Sequence, residues 1–405
     1  MLRSAEVMHL VARRAAEFGI EVEGKVRFHL DQAVGRKDQI VQGIHRSIYG
    51  ALDRRKEAID FLRGEARFLN EHEIDTGEGR LSFEKAIVAT GARRVVPPIP
   101  GLEEVAPLTN RSALDLSDLP SSMVIIGGGY VGIEFAQMYG RFGTRITLLG
   151  RNAHLAPAED PELSELLAGY LRDEGIDVRT SAPVTSLRKE GQESVVSATV
   201  DGDEREFRAD SVLVAAGRIG NTDQLDLAAA GVASAERGFV TVDGQLTTSQ
   251  PHIRAIGDVK GGFMFTHVAT YDGPIAALNA VKGSGRSVDY RVVPRVIFSD
   301  PALAAVGLTE TEAQEQGYDV AVGSVAAEGA RPLAMGDRRG RLKAVVNQAD
   351  GEILGFLILA PHGDDLLHEA VAAMHDHGRI ERIGKSIHAH PTLSEMVKAA
   401  ARAAK

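Results

Sequence analysis

The sequence contains no cysteine in 405 residues. That removes disulfides, thiolate metal sites and a cysteine nucleophile from these residues. It also has no apolar run long enough to span a bilayer. Positive charge is in deficit, with 46 Lys and Arg against 56 Asp and Glu and a net charge of −10. Nucleic-acid affinity rests on clustered Lys and Arg, so a nucleic-acid partner is not expected. The N-terminal stretch MLRSAEVMHLVARRAAEFGI lacks the apolar centre of a signal or transit peptide. Charged residues (Glu6, Arg13, Arg14, Glu17) interrupt it, so it reads as an amphipathic helix and the expected setting is cytoplasmic. Internal repeats and low-complexity tracts are absent as well.

What remains is the composition of an ordinary soluble globular protein, 44% apolar and 25% charged, at a length that calls for two or three domains. Residues 1–18 and roughly 32–63 read as helices, the latter through Ile40, Ile44, Ile48, Leu52 and Ile59 near a helical period. Two strands follow, around ARFLNEHEID and RLSFEKAIVAT, and PPIPGLEEV is a Pro/Gly linker. From about residue 120 the pattern alternates between strand and helix, MVIIGGG to YVGIEFAQMYGRFG to RITLLG to PELSELLAGYLRDEG to IDVRT. This order is the mark of a parallel sheet with crossover helices. A two-stranded excursion, SVVSATVDG and EREFRAD, precedes the apolar strand SVLVAAG. Residues from about 290 mix strands with helices at 363–377 and 393–404, as in an α+β domain.

The sharpest motif is Gly127-Gly128-Gly129-Tyr130-Val131-Gly132, a G-x-G-x-x-G directly after an apolar strand and opening a helix. Glycines there permit the tight turn, close approach of backbone N–H groups to a pyrophosphate, and tight helix–strand packing. A glycine-rich turn in an unrelated α/β protein is the bland alternative. The carboxylate expected about 20 positions on, to hold a ribose 2′-hydroxyl, is replaced by Gly150 followed by Arg151. A guanidinium in place of a carboxylate tilts the site toward a 2′-phosphate, hence NADPH over NADH, unless Arg151 is a solvated loop residue.

Gly257-Asp258 ends the short strand IRAI, and a carboxylate at such a strand end can accept from a polyol or ribose hydroxyl. Taken alone it is also an ordinary strand-to-turn junction. Near the C-terminus, HAHPTLSE offers His390 as a general acid/base with Glu395 to orient it. Thr392-x-x-Glu395 is equally a capping box for the last helix. A metal held by His388 and His390 lacks a third ligand in sequence reach, so no metal is expected.

Together these stretches resemble the class I pyridine nucleotide-disulfide oxidoreductases, the family of dihydrolipoamide dehydrogenase, glutathione reductase and mercuric reductase. The matching pieces, in the family's order, are AIVATGARRVVPPIPG, VIIGGGYVGIEFA, VLVAAGRIGNTD, PHIRAIGDVKGG, IFSDPALAAVGLTETEA and HAHPTLSE. The resemblance implies an α/β fold of three-layer FAD- and NAD(P)-binding domains with a C-terminal α+β dimerisation domain. The corresponding divisions are 1–119 with 245–285 for FAD, 120–244 for NAD(P) and 286–405 for the interface. It implies FAD contacts at Thr90, Gly91, Gly257 and Asp258, and nicotinamide-nucleotide contacts at Gly127, Gly129, Gly132 and Gly217. Tyr130 matches a tyrosine that shields the flavin until the nicotinamide arrives, and Glu134 an acidic neighbour of the nicotinamide. His390 and Glu395 match an acid/base pair delivered across a homodimer interface to the partner's redox site. Ile297, Phe298, Leu354 and Leu357 are expected among the apolar residues of that interface.

The departures are equally specific. Family members begin with a strand, a first G-x-G-x-x-G for FAD and a C-x4-C redox disulfide, and none is present. The chain resembles one starting just downstream of that disulfide, short by about 45 residues, or one strand–turn–helix unit. The C-terminal cysteine pair of mercuric reductase is absent too. Two functions are therefore expected to compete. One is an oxidoreductase passing hydride from NAD(P)H to FAD and on to a disulfide or other small acceptor. The other is an inactive nucleotide-binding, dimerising remnant.

Overall fold

A computed structural model describes residues 1–404, and the chain divides into two compact units. The first takes residues 1–37, 96–216 and those from Arg291 onward; the second takes 38–95 and 217–290.

In the first unit the strand Ser122–Ile126 is buried at every position, as a central parallel strand covered on both faces must be. It pairs in parallel with Ser211–Val214 on one side and Arg145–Leu149 on the other, and Asp177–Arg179 completes the sheet. The helices Tyr130–Phe142 and Pro161–Asp173 cover one face, with Ile133, Tyr139, Leu163 and Leu167 in the core beneath them. The second helix starts where Asp160 caps it, its carboxylate accepting from Leu163 N with proline in the first turn. The excursion on the other face has three strands, not two: Val184–Glu190, Glu193–Val200 and Asp203–Ala209. The extra strand was hidden because only Leu187 on it is buried, so its apolar pattern is too thin to see.

The C-terminal part of this unit is a five-stranded antiparallel sheet backed by the helices Gly363–His375, Ile380–Lys385 and Ser394–Ala403. Its strand Ile353–Ala360 is buried throughout because both sheet faces are covered. Phe356 and Ile358 lie under the C-terminal helices, while Leu357 and Leu359 join the core of the parallel sheet. This corrects one expectation. Ile297, Leu354 and Leu357 are interior residues of the chain itself, and of the four assigned to a dimer surface only Phe298 is exposed, at 53%.

The N-terminal helix is α-helical over Leu2–His9 and continues as a π turn and a 3-10 turn to Gly19, in the left-handed region at φ 71°. The helix over 32–63 is one helix, Leu30–Asp53.

The second unit holds a small meander, Arg67–Asn70, Glu73–Asp75 and Arg80–Ser82, where the sequence suggested one strand before Gly77. Glu71 and His72 turn the chain there. Ala86–Val88 pairs in parallel with Ile253–Ala255, and Ala92–Arg94 antiparallel with Arg218–Gly220. Phe68, Val88, Leu225 and Ile253 form its core. Among the described residues no helix is long and apolar enough to cross a membrane.

Candidate functional site

The three motif glycines of the turn have different physical reasons to be glycine. At Gly127, φ is 124° and a Cβ would lie 2.3 Å from the carbonyl oxygen of Ala215. At Gly132 a Cβ would lie 1.9 Å from the oxygen of Gly127. Both are required by the protein's own backbone packing. Gly129, with φ −88°, has nothing within 4 Å of a Cβ. Its open side is the space a bound group would fill, and the helix that follows has no side-chain cap on its first N–H groups. Uncapped N–H groups and the positive end of the helix dipole suit a diphosphate.

The strand Arg145–Leu149 delivers Gly150 and Arg151 beside this turn. Gly150 N donates to Arg179 O at 2.8 Å, and Arg151 is exposed. On the neighbouring strand Arg179 lies directly opposite Leu149. Its Nε is 2.6 Å from Asp177 Oδ1.

The helix's first turn is tied to the C-terminal sheet. Tyr130 donates its hydroxyl to Glu159, which also pairs with Arg295. Glu134, one turn on, accepts from Phe298 N at 3.0 Å. Burial raises the Glu134 carboxyl above its usual range, and the Phe298 N–H only partly opposes this. Glu159 and Arg295 carried no motif in the sequence.

At the C-terminal end, His390 Nδ1 is 3.1 Å from Glu395 Oε1, and Glu395 Oε2 accepts from Thr392 N at 3.0 Å. Glu395 therefore serves both the imidazole and the backbone. The Thr392 N–H, and next His390, hold its carboxyl below the usual range. The reciprocal half of the capping box is absent, because Thr392 Oγ1 donates to Ala389 O instead. The carboxylate fixes a proton on Nδ1, leaving Nε2 as the nitrogen that can exchange one. His390 is 70% exposed. His388 turns elsewhere, to Glu369 at 3.0 Å, and among the described residues no group of His, Asp and Glu could hold a metal ion.

In the second unit, Thr90-Gly91 and Gly257-Asp258 follow the C-terminal ends of two strands paired in parallel. That end of an α/β sheet is where ligands bind. Thr90 Oγ1 donates to Asn221 O at 2.8 Å, and Gly91, at φ 73°, accepts from Asn221 N. Gly257 N donates to the fully buried Asp272 at 3.1 Å, and Asp258 pairs with Arg218 at 3.0 Å. Gly217, at φ 116°, accepts from Val95 N. Arg218 Nε and Arg94 Nη1, on residues directly opposite one another, are buried without any acceptor. Orphaned guanidinium nitrogens beside the Asp258 carboxylate are donors that a diphosphate would satisfy. The residues present thus fit a flavin dinucleotide.

Residues 5–273 match the pyridine nucleotide-disulphide oxidoreductase family, and residues 293–401 match its dimerisation domain. The chain is 36% identical over 374 residues to mercuric reductase of Staphylococcus aureus, covering 92% of this chain and 68% of that protein. It is 34% identical over 410 residues to dihydrolipoyl dehydrogenase of Geobacillus stearothermophilus, covering 100% and 86%. The solved structure of the HOCl-induced flavoprotein disulfide reductase RclA from Escherichia coli superposes with a TM-score of 0.86 at 30% identity, covering 99% of this chain and 89% of that one. The chain therefore belongs to the pyridine nucleotide-disulphide oxidoreductases, oxidoreductase enzymes that use FAD and NAD(P)H.

Proposed function

We propose that the chain binds a nicotinamide dinucleotide at Gly127–Gly132 and transfers its hydride, by way of FAD, to a disulfide or another small acceptor, as a cytoplasmic homodimer. The observation that carries this is the glycine turn, closed by backbone at Gly127 and Gly132 and open at Gly129. The division of labour follows the family: residues 1–119 with 245–285 for FAD, 120–244 for the nucleotide, 286–405 for dimerisation.

Backbone N–H groups at Gly129 and Tyr130 take the diphosphate of the nucleotide, and Glu134 and Tyr130 border its nicotinamide. Arg151 takes the 2′-phosphate, so NADPH is preferred. Thr90, Gly91, Gly257, Asp258, Arg94 and Arg218 hold FAD, which when bound supplies the two-electron relay between nucleotide and acceptor. His390, oriented by Glu395, gives or takes a proton at Nε2 in the partner's acceptor site. A second reading, a nucleotide-binding and dimerising protein without disulfide reduction, is favoured by the absence of cysteine from these residues.

Calorimetric titration with NADPH, alongside a visible spectrum of the purified protein, tests the proposal. Binding in the wild type that Gly129→Val weakens at least about tenfold supports the turn assignment. A flavin band supports the enzyme, and its absence with nucleotide binding intact supports the second reading. NADPH binding equally well to Gly129→Val rejects the site.

A further inference from the structure

Tyr130 does not stand free at the start of its helix. Its hydroxyl donates to Glu159 Oε1. Burial, and then the Glu159 charge, push the phenol well above its usual range. Glu159 is only 5% exposed. Both of its carboxylate oxygens engage Arg295, with Nε 2.9 Å from Oε1 and Nη2 3.2 Å from Oε2. Arg295 in turn donates through Nη1 to Gly307 O at 3.1 Å. Arg295 and Gly307 lie on two paired strands, Arg295–Ile297 and Ala302–Gly307, so the acceptor of the tyrosine is held by a sheet. The loop bearing Glu159 is also clamped on both sides. Ala156 N donates to Gly128 O at 2.7 Å, and Lys343 Nζ donates to Asp160 Oδ2 at 2.8 Å.

We infer that Glu159 and Arg295 form a latch holding the Tyr130 ring closed, so that the nicotinamide half of a dinucleotide enters only by breaking the Tyr130–Glu159 hydrogen bond. The inference rests on the reading that this turn holds a nicotinamide dinucleotide with Tyr130 beside the nicotinamide. Glu159 touches no reacting atom and is a positioning residue. A hydrogen bond to an ionised acceptor is stronger than a neutral one, so closure is favoured. When the tyrosine leaves, Glu159 keeps Arg295, so opening forfeits one hydrogen bond and strands no buried charge. That asymmetry lets the ring be held and still be displaced by a ligand. The adenosine half, which meets the glycine turn and Arg151, does not have to move Tyr130.

The test is calorimetric titration of the full chain with NADPH and, separately, with 2′,5′-ADP, which carries the 2′-phosphate but no nicotinamide. Tyr130→Phe keeps the ring and deletes the bond. It should bind NADPH about 5- to 50-fold more tightly than wild type while 2′,5′-ADP binds unchanged. Glu159→Gln should move NADPH in the same direction, and the double variant should add little to either single change, as coupled partners do. If Glu159→Gln does not fold, Tyr130→Phe alone decides. An unchanged or weaker NADPH affinity in Tyr130→Phe overturns the latch, and so does an equal change in both ligands. Wild-type protein that binds neither ligand overturns the nucleotide reading as well, which separates the two failures.

Discussion

Two glutamates, Glu159 and Glu395, each orient an aromatic ring by a carboxylate, yet they do so in opposite settings. Glu159 sits in the interior of the first unit, its charge matched by Arg295 from a strand far away in sequence. Glu395 sits near the surface and reaches a histidine five residues back and a backbone N–H three residues back. The buried dyad is made by packing and loses much if either partner changes. The exposed one is made by the local chain and is solvated. Burial decides which of two similar arrangements stabilises the fold.

The largest expected effect breaks the packed side of this contrast. Gly132→Ala places a Cβ against the Gly127 carbonyl, where backbone rather than a flexible side chain must yield. Denaturant unfolding should show a loss of about 3 kcal/mol or more, whereas Gly129→Ala in the same turn should cost less than about 0.5 kcal/mol. Equal losses would remove the distinction between the structural and the ligand-facing glycines.

Next in size, Glu159→Gln leaves Arg295 buried without its counter-charge and should cost about 3 kcal/mol in the same measurement. Its counterpart Glu395→Gln should leave the unfolding midpoint where it is, because that carboxylate is solvated. A midpoint shift in Glu395→Gln as large as in Glu159→Gln would undo the contrast.

A smaller and pH-dependent effect belongs to Asp300, in the network with Arg141 at 2.8 Å and Arg339 at 2.8 Å. Burial would raise its carboxyl, but the guanidinium groups of Arg339 and Arg141 outweigh it and hold the carboxyl below the usual range. A depressed carboxylate contributes stability above its unfolded value, near pH 4, and loses it as pH falls through the folded value. Asp300→Asn should therefore be less stable than wild type by about 1–2 kcal/mol at pH 7. The two should converge in acid unfolding curves as pH falls through the folded value. A gap independent of pH would assign the effect to packing instead of charge.

The smallest effect on stability, and a selective one on binding, is expected at Arg151. Arg151→Ala should leave the unfolding midpoint unchanged and weaken NADPH about tenfold, with NADH little affected. Equal weakening of both nucleotides would mean that Arg151 does not contact the 2′-phosphate.

Much was legible in the sequence by itself. The apolar run from Met123 to Ile126, followed by glycines and a helical period, announced a parallel sheet with a glycine turn into a helix, since a strand buried on both faces has no polar alternation. HAHPTLSE announced the His390–Glu395 pair because its partners lie within one turn of chain. Strand and helix periods are local properties, as are turns and short-range dyads, so sequence spacing alone determines them.

Only the tertiary structure decided the rest. It paired Glu159 with Arg295 and set Arg179 opposite Leu149 in the parallel sheet. It also turned Ile297, Leu354 and Leu357 inward instead of toward a second copy. Each of these depends on which strand lies next to which, and on whether one or both faces of a sheet are covered. An apolar strand reads the same in either case, and a charged residue shows nothing of a partner more than a hundred positions away. The physical reason is that long-range pairing is set by packing the whole core at once, and no local run of residues carries that sum.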